Sequence, residues 1–155
     1  MSRSLPKVKY QELKDVSYQE AWDYQGQLMK ALVQKKREDA DKVAKEPSVH
    51  TILFCEHKPV YTLGKSGSID HLLLNEEELS QNNIEFFRIN RGGDITYHGP
   101  GQLTVYPIFD LDYFFHDLHK YVRYLEEAII RLLDVYDIKA SRIDGYTGVW
   151  IEGKP

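Results

Sequence analysis

One cysteine, Cys55, is present among the 155 residues of the sequence. A single thiol excludes a disulfide within the chain and a metal site built from several cysteines. The sequence also lacks a run of about 18 apolar residues that could span a bilayer, and it has no apolar segment of signal-peptide length at its N-terminus. These absences predict a cytoplasmic protein with no membrane partner.

An excess of positive charge is missing as well. The 24 acidic residues outnumber the 20 basic residues, and the formal net charge is −4. Nonspecific binding of nucleic acid needs a basic surface that displaces counterions from phosphates, so we expect no nucleic-acid partner. What the sequence does contain is 42% apolar residues. At this length that fraction predicts one domain that buries roughly two thirds of its unfolded surface.

Two long helices are predicted from local patterns. Residues 17–20, SYQE, match a capping box, in which Ser17 and Glu20 satisfy free amides at a helix start. The helix should continue into the charge-rich segment before Pro47, because a proline ends a helix. A second helix is predicted over residues 117–138. Its apolar stripe should pack in the core and consists of Leu118, Tyr121, Leu125, Ile129, Leu132, Leu133 and Tyr136.

Short segments rich in β-branched and aromatic residues predict the strands. The continuous apolar run HTILFC, residues 50–55, is typical of a buried strand. Asn75, followed by three glutamates, predicts a short helix over about residues 75–81, because acidic side chains suit the positive end of a helix dipole. The other predicted strands are PVYTL, IEFFRIN and QLTVYPIFDL, at residues 59–63, 84–90 and 102–111.

The final residues, GVWIEGKP, predict a strand that enters a turn at Glu152 to Lys154. Such a turn normally introduces a partner strand, and none follows in this sequence. We therefore expect these residues to belong to a longer protein.

The segment RGGDITYHGPGQ, residues 91–102, combines five Gly and Pro residues with several polar side chains. If residues 94–98 are extended, alternation places Asp94, Thr96 and His98 on one polar face, while Ile95 and Tyr97 pack on the other. The glycines at residues 92 and 93 allow positive φ angles and close approach of a ligand to the backbone. Residues 99–101 predict a tight turn.

The chemistry of this segment predicts one wall of a binding pocket. Arg91 can reach a carbonyl or a phosphate, and His98 can exchange a proton near neutral pH. A pair of hairpin turns with a solvated polar strand face remains the alternative interpretation, because glycine and proline are also common in simple turns.

Other candidate sites have weaker patterns. The letters LGKS at residues 63–66 do not complete a phosphate-binding loop, because Pro59 occupies the position of its first glycine. His116, Asp117 and His119 resemble a metal pair but have no third ligand at a suitable spacing, so we expect no metal. Cys55 lies in an apolar strand, which predicts an unreactive core thiol.

The segment RGGDITYHGPGQLTVYPI, residues 91–108, resembles the signature of the lipoyl (octanoyl) transferase family. That signature has Arg-Gly-Gly, then Thr, an aromatic residue and His, then Pro-Gly-Gln, and finally an aromatic residue with Pro. The segments EHKPVYTLGK and GVWIEGKP are similar to an upstream and a downstream segment of the family. The resemblance covers most of residues 50–155.

The resemblance implies an α+β fold with a mixed sheet flanked by helices, similar to the catalytic domain of biotin and lipoate protein ligases. It implies that residues 1–155 are a single acyltransferase catalytic domain that lacks its C-terminal part. The family transfers an octanoyl group from octanoyl-acyl carrier protein to a lysine of a lipoyl domain through a cysteine acyl-thioester. The acceptors are the lipoyl domains of 2-oxoacid dehydrogenases and the glycine cleavage H protein, and no metal or ATP is required.

By the same resemblance, the substrate-binding residues are Arg91, Gly92, Gly93, Asp94, Ile95, Thr96, Tyr97 and His98. The two glycines would admit the acyl chain or thioester, Thr96 and His98 would orient the reacting carbonyl, and Tyr97 would pack below. The family pattern places the catalytic lysine and cysteine after Pro155, so no catalytic residue is assigned within this sequence.

Two other functions stay open. An ATP-dependent lipoate or biotin protein ligase would share the fold, but the sequence has no segment that resembles the nucleotide-binding glycine and arginine pattern of such ligases. A non-catalytic acyl-binding module is the other alternative.

Overall fold

The structure is a computed structural model that describes residues 6–40 and 49–154. The chain divides into two compact units, Met1–Asp110 and Leu111–Pro155. The first helix was expected to continue until Pro47 stops it, and this prediction is wrong: the helix ends at Glu38, where Asp39 is its C-cap. Residues 41–48 lie outside the described residues. The strands and helices are, in chain order, β1 (Lys7–Val16), α1 (Tyr18–Glu38), β2 (Val49–His57), β3 (Val60–Leu63), α2 (Glu76–Gln81), β4 (Glu85–Arg88), β5 (Ile95–His98), β6 (Thr104–Ile108) and α3 (Leu118–Val135).

Six strands of the first unit form two three-stranded sheets. In one sheet the order is β1-β2-β6, with β1 parallel and β6 antiparallel to β2. In the other the order is β4-β3-β5, with β4 parallel and β5 antiparallel to β3. Both sheets are mixed, so the predicted α+β architecture with mixed pairing and helices is confirmed. The predicted strands β2, β3, β4 and β6 are confirmed as well.

The start of α1 is fixed by the predicted capping box. Ser17 Oγ accepts a hydrogen bond from Glu20 N at 3.2 Å, and the Glu20 carboxylate accepts one from Ser17 N at 3.0 Å. The helix buries Tyr18, Ala21 and Leu32, which share one face at helical spacing. This face anchors the helix in the core of the first unit. The predicted short helix is confirmed as α2, with Asn75 as its N-cap.

The two central strands supply most of the buried side chains of the first unit. Leu53 and Cys55 in β2, and Val60 and Leu63 in β3, are each at most 2% exposed. A strand paired on both sides has no solvent-facing backbone edge, which explains why these short apolar runs are the most deeply buried segments. Among the described residues, no helix is long and apolar enough to cross a membrane.

The helix α3 confirms the predicted helix, but the predicted burial of its apolar stripe is wrong for the described chain. Leu118 is 71% exposed and Tyr136 69%, and Leu125, Ile129 and Leu132 are exposed as well. The only buried residue of the helix is Glu126. Helical periodicity predicts that a helix has an apolar face, but it does not specify what covers that face.

A hairpin turn ends the described part of the second unit. Ile151 pairs with Lys154 across Glu152 and Gly153, whose φ angles are 51° and 77°. Positive φ at both central residues matches the tight turn that joins antiparallel strands. The turn predicted at Glu152 to Lys154 is therefore confirmed.

The buried carboxylate of Glu126 connects three segments of the second unit. It accepts hydrogen bonds from Arg123 Nη1 at 2.8 Å, from Arg142 Nε at 3.0 Å and from Gly148 N at 2.8 Å. The hydrogen bond from Gly148, followed by those from the two arginines, lowers the pKa of Glu126. The charged form of this side chain thus holds the segment before the final turn against α3.

We predict that Glu126→Gln lowers the free energy of unfolding at pH 7 more than Glu127→Gln does. Glu127 binds Arg131 and Arg142 from a more exposed position, so its loss should matter less. Because the folded pKa of Glu126 is lowered, its stabilisation is present above its unfolded pKa of about 4.3 and is lost as pH falls through the folded value. Urea unfolding at pH 7 and pH 3 measures both effects. Equal losses for the two variants at pH 7 would contradict the assigned role.

Candidate functional site

The segment RGGDITYH forms a loop followed by β5, which is an edge strand of the second sheet. β5 pairs with β3 so that Thr96 lies opposite Thr62 and Tyr97 opposite Tyr61. The extended conformation predicted for residues 94–98 is confirmed over Ile95–His98. Ile95 and Thr96 are both half-buried in this strand.

The loop before β5 is joined to the loop that follows β3 by backbone hydrogen bonds. Gly64 N donates to Asp94 O at 3.2 Å, and Lys65 N donates to Arg91 O at 3.0 Å. These bonds extend the pairing of β3 and β5 beyond the strand ends. The two loops therefore form one platform, which we define as residues 64–67 and 91–94.

Gly64 makes the close approach within this platform possible. A Cβ atom at Gly64 would lie 2.9 Å from Gly92 O and closer still to Gly93 O. Gly93 has a φ of 82°, as expected from the sequence, whereas Gly92 has no positive φ and open space around its Cα. The sequence did not predict this contact, because Gly64 lies almost 30 residues before the glycines whose carbonyls approach it.

Arg91 uses most of its hydrogen-bonding capacity inside the platform. Its guanidinium donates to Thr62 O at 2.8 Å, to Thr62 Oγ1 at 2.9 Å and to Gly92 O at 2.9 Å. A further, longer bond of 3.4 Å joins Nε to Thr62 Oγ1. A guanidinium has five N–H groups, so one N–H on Nη1 has no acceptor among residues 6–40 and 49–154. Arg91 was expected to reach a carbonyl or a phosphate. In this structure it binds the carbonyls of Thr62 and Gly92 of its own chain.

Asp94 is tied to a neighbouring loop rather than presented on β5. It precedes the strand, and its Oδ2 pairs with Nδ1 of His71. A Cβ atom at Gly67 would lie 2.5 Å from Asp94 Oδ1, which shows how closely this carboxylate packs on the platform. Its contacts are those of a residue that fixes the loops.

The two faces of β5 differ from the prediction. The His98 ring stacks on buried Tyr18, with centroids 6.4 Å apart, and lies 6.0 Å from the ring of His57. Tyr97, on the opposite face, contacts Tyr61 at 5.1 Å and is 44% exposed. Alternation along the strand is confirmed, but the face expected to be polar is the one that packs inward, and Tyr97 lies on the outer face.

His57 is a buried neighbour of His98 that the sequence patterns did not single out. It is 1% exposed, and its Nε2 lies 2.9 Å from Tyr106 Oη. Burial, followed by the neighbouring His98, lowers the pKa of His57, and burial raises the pKa of Tyr106. Both groups are therefore neutral near pH 7.

A cleft of about 310 Å³ lies between α1, the platform and β6. Its size falls at the lower end of the range for small-molecule sites, and most of its lining is apolar. Of the described residues that line it, Arg91 alone is charged. The lining residues are Tyr18, Trp22, Gln25, Gly26, Met29, Ile89, Asn90, Arg91 and Ile108.

The predicted site residues are only partly brought together around this cleft. Arg91 lines it directly, and His98 reaches it through the Tyr18 ring. Among the described lining residues, those from α1 were predicted as helix but not as site residues. Helical spacing of Trp22, Gly26 and Met29 was the signal that could have placed them on one face.

Cys55 is fully buried, and burial raises the pKa of its thiol to about 11. The prediction of a core thiol is confirmed. In residues 6–40 and 49–154, no three His, Cys, Asp or Glu side chains lie close enough together to hold a metal ion. Nδ1 of His116 instead lies 3.4 Å from Oδ1 of Asp112, four residues earlier.

Comparison with known proteins gives one family and several relatives. Residues 17–154 match the lipoyl protein ligase A/B catalytic domain family. The chain is 54% identical over 147 residues to an octanoyltransferase of Cytophaga hutchinsonii and 50% identical over 145 residues to that of Christiangramia forsetii. Each match covers 94% of this chain but only 60% and 62% of the relatives. The predicted resemblance to octanoyltransferases is confirmed, and the chain spans about 60% of their length.

Solved structures resemble the chain in fold. A bi-partite lipoate protein ligase from Thermoplasma acidophilum has a TM-score of 0.58 at 17% identity, covering 95% of this chain and 52% of that one. LipL1 of P. falciparum, in complex with lipoate, has a TM-score of 0.56 at 13% identity, covering 95% of this chain and 41% of that one. The expected similarity to lipoate ligase catalytic domains is thus confirmed for the fold.

We predict that Gly64→Ala destabilises the protein by about 1–3 kcal/mol, because the new methyl group meets two backbone carbonyls that cannot both move away. Gly26→Ala is the matched control, since its Cβ would have nothing within 4 Å. That change, in the middle of α1, should raise stability by up to about 1 kcal/mol. Urea unfolding of both variants checks the pair. An unchanged free energy of unfolding for Gly64→Ala would show that the platform tolerates separation of its loops.

We predict that Cys55 in the folded protein reacts at least about a hundredfold more slowly with a soluble disulfide reagent at pH 8 than in urea. Its raised pKa leaves far less thiolate, and burial blocks access. Spectrophotometric thiol titration in buffer and in urea measures both rates. Equal rates would contradict its assignment as a core thiol.

Proposed function

Because this chain belongs to the lipoyl protein ligase A/B catalytic domain family, we propose that the whole protein is an octanoyltransferase of lipoate biosynthesis. It transfers an octanoyl group from octanoyl-acyl carrier protein to a lysine of a lipoyl domain, in the cytoplasm. The acceptors are lipoyl domains of 2-oxoacid dehydrogenases and the glycine cleavage H protein. The relatives named octanoyltransferase support this reaction.

The observation that carries the proposal is the apolar cleft beside the platform. An octanoyl chain has no polar group beyond its thioester, so its binding requires an apolar groove with a polar group at one end. The cleft offers Trp22, Met29 and Ile108 for the chain and Arg91 for the thioester oxygen. The remaining N–H of Arg91 can donate to that oxygen.

The charge of Arg91 also favours binding of the acyl group with its thioester oxygen toward Arg91. Arg91 is half-buried, and no carboxylate of a described residue forms an ion pair with it. A partly desolvated cation without a counterion favours a ligand atom that carries negative charge. The thioester oxygen gains such charge as a nucleophile attacks the carbonyl.

The other residues of the segment, 92–98, support the proposed contact of Arg91 with the thioester oxygen. The backbone of Gly92 and Gly93 closes the platform next to Arg91, and Asp94 keeps the loops joined. Ile95, Thr96, Tyr97 and His98 follow the platform as β5, where His98 stacks on the cleft-lining Tyr18. We therefore retain the eight residues from Arg91 to His98 as the substrate-binding segment of the proposed enzyme.

The proposed reaction needs a thiolate that Cys55 cannot supply, because that thiol is buried and protonated at pH 7. We place the nucleophilic cysteine and its lysine partner outside residues 1–155. The cysteine thiolate attacks the octanoyl carbonyl and expels the thiolate of the carrier. The acceptor lysine amine then attacks the new thioester, the enzyme thiolate leaves, and one proton is lost as the amide forms. This route consumes neither ATP nor a metal.

We predict that Gly26→Leu in the complete protein raises the KM for octanoyl-carrier at least about tenfold, because its side chain would occupy the cleft and exclude several buried methylene groups. Gly26→Ala is the control, since one methyl group leaves most of the cleft open. Octanoyl transfer to a lipoyl domain, followed by intact mass, measures the effect.

A butyryl-carrier substrate separates cleft filling from general damage. Its shorter chain should be affected much less by Gly26→Leu than the octanoyl chain. An equal loss for both substrates would refute the cleft as the acyl site. Transfer that requires free octanoate and ATP would identify a ligase instead, and binding of octanoyl-carrier without transfer would identify a non-catalytic acyl-binding module.

A further inference from the structure

Gln102 makes a direct contact with His98 although it lies outside the substrate-binding segment. Its Oε1 atom is 2.6 Å from Nδ1 of His98. Its amide nitrogen lies 3.5 Å from Tyr97 O, a long contact that nevertheless favours the orientation with Oε1 toward the histidine. The short distance between Oε1 and Nδ1 requires a hydrogen between these two atoms.

The chemistry of the two groups decides which atom carries that hydrogen. An amide oxygen only accepts hydrogen bonds, so Nδ1 of His98 must be protonated. A neutral imidazole has a single N–H, and Nε2 is therefore the nitrogen with the free lone pair. Among residues 6–40 and 49–154, none forms a hydrogen bond to Nε2 of His98.

The backbone around Gln102 holds its side chain in place. Gln102 N donates to Gly99 O at 3.1 Å, and Gly101 has a φ of 85°, which closes a turn with Pro at its second position and Gly at its third. The turn is anchored to β2, because Gly101 N donates to the Glu56 carboxylate at 2.8 Å. The tight turn predicted at residues 99–101 thus positions the amide that binds the histidine.

We propose that Gln102 is a positioning residue that holds neutral His98 as the Nδ1–H tautomer and leaves Nε2 as an acceptor only. Within the proposed transfer reaction, on which this step rests, neutral His98 cannot donate a hydrogen bond to the thioester oxygen from Nε2. It can accept a hydrogen bond or a proton from the attacking amine. Arg91 and backbone amides then donate the hydrogen bonds to the thioester oxygen. His98 was expected to orient the reacting carbonyl, and in this proposal it acts only as a hydrogen-bond acceptor.

Nitrogen NMR of the histidine rings in the full-length protein tests the tautomer directly. Long-range proton–nitrogen spectra at pH 8 distinguish the protonated ring nitrogen from the one with a lone pair, and His98→Asn identifies the signals of His98. We expect Nδ1 to be protonated in the unchanged protein. We expect Gln102→Leu to shift His98 largely to the Nε2–H tautomer, which free imidazole side chains favour.

Gln102→Glu is the conservative variant, because a carboxylate also accepts a hydrogen bond from Nδ1–H and should preserve the tautomer. Gln81→Leu is the control for loss of an exposed glutamine, since Gln81 bonds only Glu77 on its own helix. An Nε2–H tautomer in the unchanged protein, or an unaltered tautomer in Gln102→Leu, would overturn the proposal. If Gln102→Leu does not fold, the unchanged protein and Gln102→Glu still decide the outcome.

Transfer assays separate this inference from the proposed function. Gln102→Leu should lower kcat on the order of ten- to hundredfold with little change in KM, and Gln102→Glu should restore it. If none of the proteins transfers octanoyl groups, the proposed function fails, whereas the tautomer spectra still confirm or refute the role of Gln102. A Gln102→Leu protein with altered tautomer but full activity would refute the acceptor role of His98.

Discussion

The close approach of Gly64 to the carbonyls of Gly92 and Gly93 is the constraint on which the candidate site depends. Because no side chain separates the two loops, the bonds from Gly64 N and Lys65 N can continue the pairing of β3 and β5 past the strand ends. This pairing also brings the Arg91 guanidinium to the Thr62 carbonyl. Arg91 therefore lines the cleft as a fixed part of the loop. In the proposed function, a preorganised donor of this kind loses little freedom when it binds the thioester oxygen.

Polar groups on the inner side of β5 are kept neutral by burial and are held by hydrogen bonds. His57 and Tyr106 are bonded to each other, and both pKa shifts favour the uncharged forms. His98 lies at the outer end of this group and receives its orientation from Gln102. Burial thus keeps His57 and Tyr106 uncharged, and His57 packs beside His98. Among the described residues that line the cleft, Arg91 is the only charged one, and in the proposed function it binds the polar end of a substrate with an apolar chain.

The second unit uses a buried charge in a different way. Its apolar stripe on α3 stays exposed in the described chain, and the buried side chain of the helix is the Glu126 carboxylate. Three donors from Arg123, Arg142 and Gly148 compensate that charge, as a buried carboxylate requires. The hydrogen bonds fix the path of the segment that leads to the final hairpin turn. These polar contacts act beside the ring contact of Tyr146 with Trp150 in the same segment.

Local features of the fold were determined by the sequence itself, because they depend on residues only a few positions apart. The capping box at Ser17, the extended segment at β5, the positive φ of Gly93 and the turns at residues 99–101 and 151–154 belong to this class. Strand β1 escaped prediction because it is a mostly exposed edge strand without an apolar run. Three features were decided by the tertiary structure alone. They are the contact of Gly64 with Gly93, the ring contact of His57 with His98, and the choice of which face of β5 packs inward. These features depend on which strands pair and in which register, and that choice is made by contacts between residues far apart in the chain.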